Sequence, residues 1–329
     1  MDTHDSQTTS PDSNYLLAHD DEERRRLERQ HVMFKRFMNR FDGPLPSSID
    51  VTQVTNIMDV AAGTMVWTLD LATVPTVKAR IGTNGSNEVH LYACDITDQK
   101  FPPKNVIEEL KINAFLHDVT APFPDHLHGK FDLVNMKLLV FALTTNGWRK
   151  ALENVRALLK PGGKLLLCES DSVFYTKAEV SSPGFSPGQH VLNPNSWSYA
   201  YNLLFRKNTL MNDHLTNLST ELPTMIEASS YTIVEKTSVM LPMGILCRTE
   251  PGACGQEVSS EEEFTKDIVF FISELITGIA LKNGYLEDND GKKINTEEGR
   301  QKMLTALREN FIREGAFFSC TELVVQPSS

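Results

Sequence analysis

The sequence predicts an α/β fold: a parallel β-sheet covered by helices on both faces. Three observations lead there. Between residues 49 and 171, short apolar runs alternate with segments of helical spacing, joined by short connections. Such alternation makes βαβ units with right-handed crossovers. The runs are strongly apolar, as in strands buried on both sides. The first run ends in an acid and small residues, "DVAAGTMVW" (59–67), the outline of a strand, a ligand-cradling turn and a helix.

Taken in order, "TNIMDVA" (55–61) reads as the first strand and "VWTLDLATV" (66–74) as its helix. "NEVHLYACD" (87–95) is the second strand, followed by "PPKNVIEELK" (102–111), a short helix opening at proline. "INAFLHD" (112–118) is the third strand, and Phe131 to Met136 form the fourth. "NGWRKALENVRALLK" (146–160) places Trp148, Leu152, Val155, Leu158 and Leu159 on one helical stripe. "PGG" ends it, and "KLLLCESD" (164–171) is the fifth strand.

Outside this core, residues 1–14 are polar, without period, and expected to be disordered. Residues 15–48 form a helical lid that ends in the breaker "DGPLPSS" (42–48). Residues 172–230 are a cap insertion: the Pro/Gly/Ser loop "SSPGFSPGQH" (181–190), then a helix rich in Trp197, Tyr199, Tyr201, Leu204 and Phe205. Residues 231–244 are strand six. Residues 245–314 are a helical insertion of two helices, each with start and stop signals. Residues 315–329 hold the final strand, "AFFSCTELVVQP".

Composition narrows the partners. The net charge of −11 disfavours nucleic acid and anionic membrane. The basic run "ERRRLERQ" (23–30) is interleaved with acids and reads as a solvated helix face. No apolar run approaches the ~20 residues of a membrane span. The polar, acidic start predicts neither a signal peptide nor a mitochondrial presequence. The five cysteines, at 94, 168, 247, 254 and 320, are scattered and form no C-x-x-C pair. They read as reduced core residues of a cytoplasmic protein, with no metal site.

Ligands of open parallel sheets sit at the carboxyl ends of the strands. Here those ends carry Asp59, Asp95, Asp118, the pair Asn135–Met136, and Glu169 with Asp171. Acids at four of five ends repel a phosphate. They suit ribose hydroxyls, an adenine amine and a cation. S-adenosylmethionine has all three and no phosphate.

The chain resembles the class I S-adenosylmethionine-dependent methyltransferases, and more narrowly the fungal secondary-metabolism, LaeA-like group. The resemblance rests on "YLLAHDDEERRRLERQH" (15–31), "IMDVAAGTMVWTLDLA" (57–72), "YACDITDQKFPP" (92–103), "LHDVTAPFPDHLHGKFDLVNMKLL" (116–139) and "LLKPGGKLLLCESD" (158–171), about half the chain. It implies a Rossmann-like, seven-stranded sheet closed by a hairpin of strands six and seven, here interrupted by the helical insertion. It implies S-adenosylmethionine as cofactor. Asp59, Ala61, Gly63 and Thr64 would lie beside the methionine moiety and Asp95 on the ribose. Ile96 would lie against the adenine, Asp118 with Val119 at the adenine amine, and Asn135 and Met136 near the sulfonium. Tyr15 would reach the cofactor from the lid. The substrate would be a small natural-product intermediate, methylated on O, N, C or S under the cap; homodimers through cap helices are common in the fold. The other reading is a methyltransferase-fold cyclase or pericyclase, or a LaeA-like regulator.

One residue departs from the pattern. The turn reads G-T-M where the family has G-T-G, so Met65 either packs sideways or crowds the cofactor. Methyl transfer requires alignment, and a base only when the acceptor arrives protonated. The candidates for that base are His190, His31 and Glu169.

Overall fold

The computed structural model describes residues 21–249 and 258–328. Tyr15, the segment 1–14 and Cys254 lie outside the described residues. In chain order the elements are α1 (Asp21–Phe37), β1 (Asn56–Val60), α2 (Val66–Thr73), α3 (Pro75–Lys78), β2 (His90–Asp95), α4 (Lys104–Glu109), β3 (Asn113–Leu116), β4 (Phe131–Lys137) and α5 (Thr145–Leu158). They continue with β5 (Leu159–Tyr175), α6 (Lys177–Val180), α7 (Tyr199–Met211), α8 (Leu218–Ala228), β6 (Tyr231–Met243), α9 (Leu246–Thr249), α10 (Val258–Lys282), α11 (Glu297–Glu314) and β7 (Ala316–Pro327).

The seven strands form one sheet in the order β3-β2-β1-β4-β5-β7-β6. β1 to β5 pair in parallel, and β7 runs antiparallel to both its neighbours. This is the expected class I methyltransferase sheet. The order reverses at β1, between β2 and β4, and there the loops diverge to leave a crevice. One face of the sheet is covered by α5 and α8, with Trp148, Leu152, Val155 and Leu158 inaccessible to solvent. Thr144 caps α5 by accepting from the Gly147 amide at 3.0 Å. The other face carries α2 and α3 around Ile57, Leu71, Val77 and Leu133.

β5 runs well past the ligand-binding end of the sheet. Phe174 and Tyr175 pair with Phe318 and Phe317 of β7. This extension carries a separate core: Phe174 stacks on Tyr201 of α7, and Phe311 of α11 packs close by. The inserted helices bury their apolar faces there. Gly315 joins α11 to β7 with φ 65°, where a Cβ would stand 2.5 Å from the Met243 carbonyl oxygen. α1 is pinned across the sheet instead. Arg36 pairs with Glu261 of α10, Arg29 donates to the Ser260 carbonyl at 2.7 Å and lies over the Phe264 ring, and Arg40 pairs with Glu322 of β7. The "ERRRLERQ" run is therefore only partly a solvated face: Arg26 pairs with the buried Glu23 and Arg29 anchors the lid.

Met65 packs sideways. Its backbone is left-handed (φ 56°, ψ 19°), the conformation glycine adopts freely, and its side chain is fully buried with Trp67 and Leu71. Strain and burial therefore oppose each other at this position. Met65→Gly is expected to lower stability by about 2 kcal/mol, because the lost packing exceeds the relieved strain. Denaturant unfolding measures this; equal or greater stability would show that strain dominates.

Candidate functional site

A cavity of about 300 Å³ opens where the sheet order reverses. Its floor is the turn after β1. Ala61 and Gly63 are both left-handed there, which turns the backbone amides upward. Gly63 N donates to Asp95 Oδ2 at 2.8 Å, so the ends of β1 and β2 are tied together. Leu27 of α1 comes within 3.5 Å of where a Gly63 Cβ would stand, so α1 closes the turn from above. The roof also includes Gln30 and His31, one helical turn along.

The acids converge on this cavity. Asp59 lies at its base, buried, accepting from Asn135 Nδ2 and from Thr68 Oγ1, each at 2.7 Å. Burial pushes its pKa up to about 6, against the two hydrogen bonds. Asp95 and Asp118 stand at the ends of β2 and β3, with Ile96 and Val119 beside them. Asp118 Oδ1 accepts from the amide and hydroxyl of Thr120, both at 2.8 Å, which leaves its other oxygen facing out.

Two buried polar atoms of the lining lack a protein partner, Thr64 Oγ1 and Asn135 Oδ1. A buried hydroxyl and a buried amide oxygen without partners mark a place for a ligand's polar groups. Thr64 stands just before α2, where a carboxylate is favoured. The Asn135 oxygen suits an ammonium. The residues present thus fit an adenosyl amino acid and not a pyrophosphate.

Of the expected cofactor residues, the cavity gathers Asp59, Ala61, Gly63, Thr64, Asp95, Ile96, Asp118, Val119 and Asn135. Met136 is a correction: its side chain faces the opposite side of the sheet, in the core with Trp148, and the residue does not line the cavity. Strand alternation sends Lys137 there instead.

Two of the three base candidates are also corrected. His190 packs on Tyr175 and Phe185 with Nε2 3.8 Å from Glu179, outside the cavity, because the 181–190 loop folds against α6. Glu169 is buried behind the β4–α5 loop, where it accepts from the Leu139 amide at 2.7 Å. Burial pushes its pKa up to about 8. Its work is to hold the segment 138–140, which includes the left-handed Leu138 and lines the cavity. Asp171 is likewise structural, accepting from Ser219 N and Oγ at 2.8 and 2.6 Å at the start of α8.

His31 does line the cavity. Its Nε2 lies 2.8 Å from Asp70 Oδ2, and Lys35 shares that carboxylate. Burial lowers the His31 pKa despite Asp70, and Lys137 lowers it further. The imidazole is therefore neutral at pH 7, donates from Nε2, and turns the Nδ1 lone pair toward Lys137 Nζ at 3.4 Å.

Comparisons with known proteins agree with this geometry. Residues 27–185 match the ubiE/COQ5 methyltransferase family. The methyltransferase grgD of a Penicillium species is 30% identical over 188 residues, 56% of this chain and 59% of that one. The N-methyltransferase sirN of Leptosphaeria maculans is 30% identical over 164 residues, 48% and 50% of the two chains. The chain is a homologue of the fungal class I methyltransferases. The secondary metabolism regulator laeA of Gibberella zeae is 25% identical over 148 residues, 45% of this chain and 42% of that one. These alignments span about half the length of the relatives.

Sequence reasoning missed several residues that this methyltransferase homologue places in the cavity: Leu27, Gln30, Lys100, His117 and Lys137. Helical spacing from His31 would have found Leu27, and strand spacing from Asn135 would have found Lys137. Lys100 and His117 carried no periodic signal.

The raised Glu169 pKa gives a stability signature. A carboxyl whose folded pKa lies above its unfolded value favours folding fully below the unfolded value, and loses that contribution as pH rises through the folded one. The melting temperature of the ligand-free protein is expected to fall between about pH 5 and pH 8, and Glu169→Gln to flatten the upper part of that fall. An unchanged slope in the variant would contradict the buried, protonated carboxyl.

Proposed function

We propose that the chain is an S-adenosylmethionine-dependent methyltransferase acting on a small natural-product intermediate. The observation that carries this reading is the convergence of Asp59, Asp95 and Asp118, from three successive strand ends, on one cavity roofed by α1. The relatives support it, since grgD and sirN are named as methyltransferases.

In this reading Asp95 takes the ribose hydroxyls with the oxygen less engaged by Gly63, and Ile96 covers the adenine. Asp118 accepts from the adenine amine. Asp59 and the Asn135 amide oxygen take the ammonium, and Thr64 Oγ1 donates to the carboxylate. When bound, the cofactor supplies an activated methyl group on a cationic sulfur. The protein supplies alignment and exclusion of water, through Leu27 and His31 above and Leu138 and Leu139 at the side.

Neither long insertion lines this cavity. α7 supports it from behind, with Phe205 5.5 Å from Phe141 of the β4–α5 loop. Among the described residues, no helix is long and apolar enough to cross a membrane. With the net charge of −11, we place the protein in the cytoplasm with a small-molecule substrate and no nucleic-acid partner.

Calorimetric titration with S-adenosylhomocysteine tests the reading. Binding is expected in the micromolar range, and Asp95→Ala is expected to weaken it by about 1–3 kcal/mol. Absence of binding at millimolar ligand would overturn the assignment, and an unchanged Asp95→Ala variant would overturn the placement of the ribose.

A further inference from the structure

The cofactor reading leaves one charged residue of the cavity without a task. Lys137 ends β4 two residues after Asn135 and so shares its face of the sheet. Among the described residues its one hydrogen bond goes to His31 Nδ1 at 3.4 Å, and Nζ lies 5.1 Å from the centre of the Phe34 ring. It forms no ion pair there. The charged groups around it are already engaged: Asp70 by His31 and Lys35, Asp59 by Asn135 and Thr68, Glu169 by the loop amides, and Glu322 by Arg40. An ammonium has three donors, and a neutral imidazole uses one.

The same end of the cavity holds no side chain able to accept a proton. His31 has Nε2 committed to Asp70 and its lone pair facing an ammonium. Glu169 and His190 lie outside the lining. His117 stands at the β3 end beside Asp118, with Nε2 on the Ala121 carbonyl. An acceptor that arrived as an alkylammonium would meet Lys137 and the sulfonium, both cationic, and find no base.

We infer that Lys137, aligned by the Asp70–His31 pair, selects the acceptor: the methylated group is a weakly acidic O–H or N–H that meets the site as its anion. This rests on the cofactor reading above and adds the acceptor class. An ammonium at contact distance favours the ionised form of an acid by one to three pKa units. The acceptor's lone pair then forms the bond to the methyl carbon as the carbon–sulfur bond breaks and its electron pair stays on sulfur. Anion and sulfonium become two neutral groups, no proton moves, and Lys137 stays protonated throughout.

The test reads ionisation rather than turnover. 4-Nitrophenol is titrated into the S-adenosylhomocysteine complex, and its phenolate absorption band is followed across pH. The bound probe is expected to ionise about tenfold more readily than in solution, a shift of about one pKa unit. Lys137→Met is expected to abolish the shift and Lys137→Arg to keep most of it. Homocysteine-adenosyl affinity is measured on each variant in parallel. A probe that binds as the neutral phenol, fails to bind, or ionises equally in Lys137→Met overturns the inference. So does a fall in S-adenosylhomocysteine affinity with unchanged probe ionisation, which would put the lysine on the cofactor. If wild-type protein fails to bind S-adenosylhomocysteine at all, the cofactor reading itself has failed.

Discussion

Asp59 is a carboxylate that the fold holds away from water, and much of the site depends on it. It joins three elements, since it belongs to β1 and accepts from Thr68 of α2 and Asn135 of β4. Two hydrogen bonds do not fully compensate burial, so its pKa rises to about 6. By linkage, Asp59 favours folding most below the ordinary aspartate value and loses that contribution as pH rises through about 6. At neutral pH the ligand-free protein therefore carries an incompletely compensated charge. A cation in the cavity offsets that cost, which is the usual relation between a binding site and the stability of its scaffold.

The lid and the insertions divide the remaining work. α1 reaches the cavity itself, through Leu27, Gln30 and His31, and is anchored by arginine contacts to α10 and β7. The inserted helices sit on the extended β5–β7–β6 ribbon and act at one remove, by packing Phe205 against Phe141. A substrate cap in the sense expected from sequence is thus built mainly from the N-terminal helix. The reason is geometric: β5 continues to Tyr175, and the apolar face it offers there is nearer to the insertions than the cavity mouth.

The sheet was legible because buried parallel strands write themselves as apolar runs and amphipathic helices as stripes. The β7 range was read to the residue, and the strand-end acids pointed to the cavity. Side-chain direction was harder. Met65 was left open because sequence does not show that its left-handed backbone turns the side chain into the core. Met136 was included and Lys137 passed over because a two-residue motif was carried across as a unit, whereas a strand alternates its faces. His190 looked reactive on loop composition alone, and tertiary contacts with Glu179 and Tyr175 decide its place. α8 was not read, since Pro223 lies inside it; the Ser219 carbonyl, four residues earlier, accepts from Lys236 Nζ at 2.9 Å instead.

The most direct measurement of the central claim is the affinity for S-adenosylhomocysteine as a function of pH, by calorimetry, in the wild-type protein and in Asp59→Asn. If Asp59 is the buried partner of the ligand's ammonium, wild-type affinity falls as pH drops through about 6, and the variant binds weakly with little dependence over that range. Equal affinities for the two proteins, or a wild-type affinity that does not change through pH 6, would contradict the account.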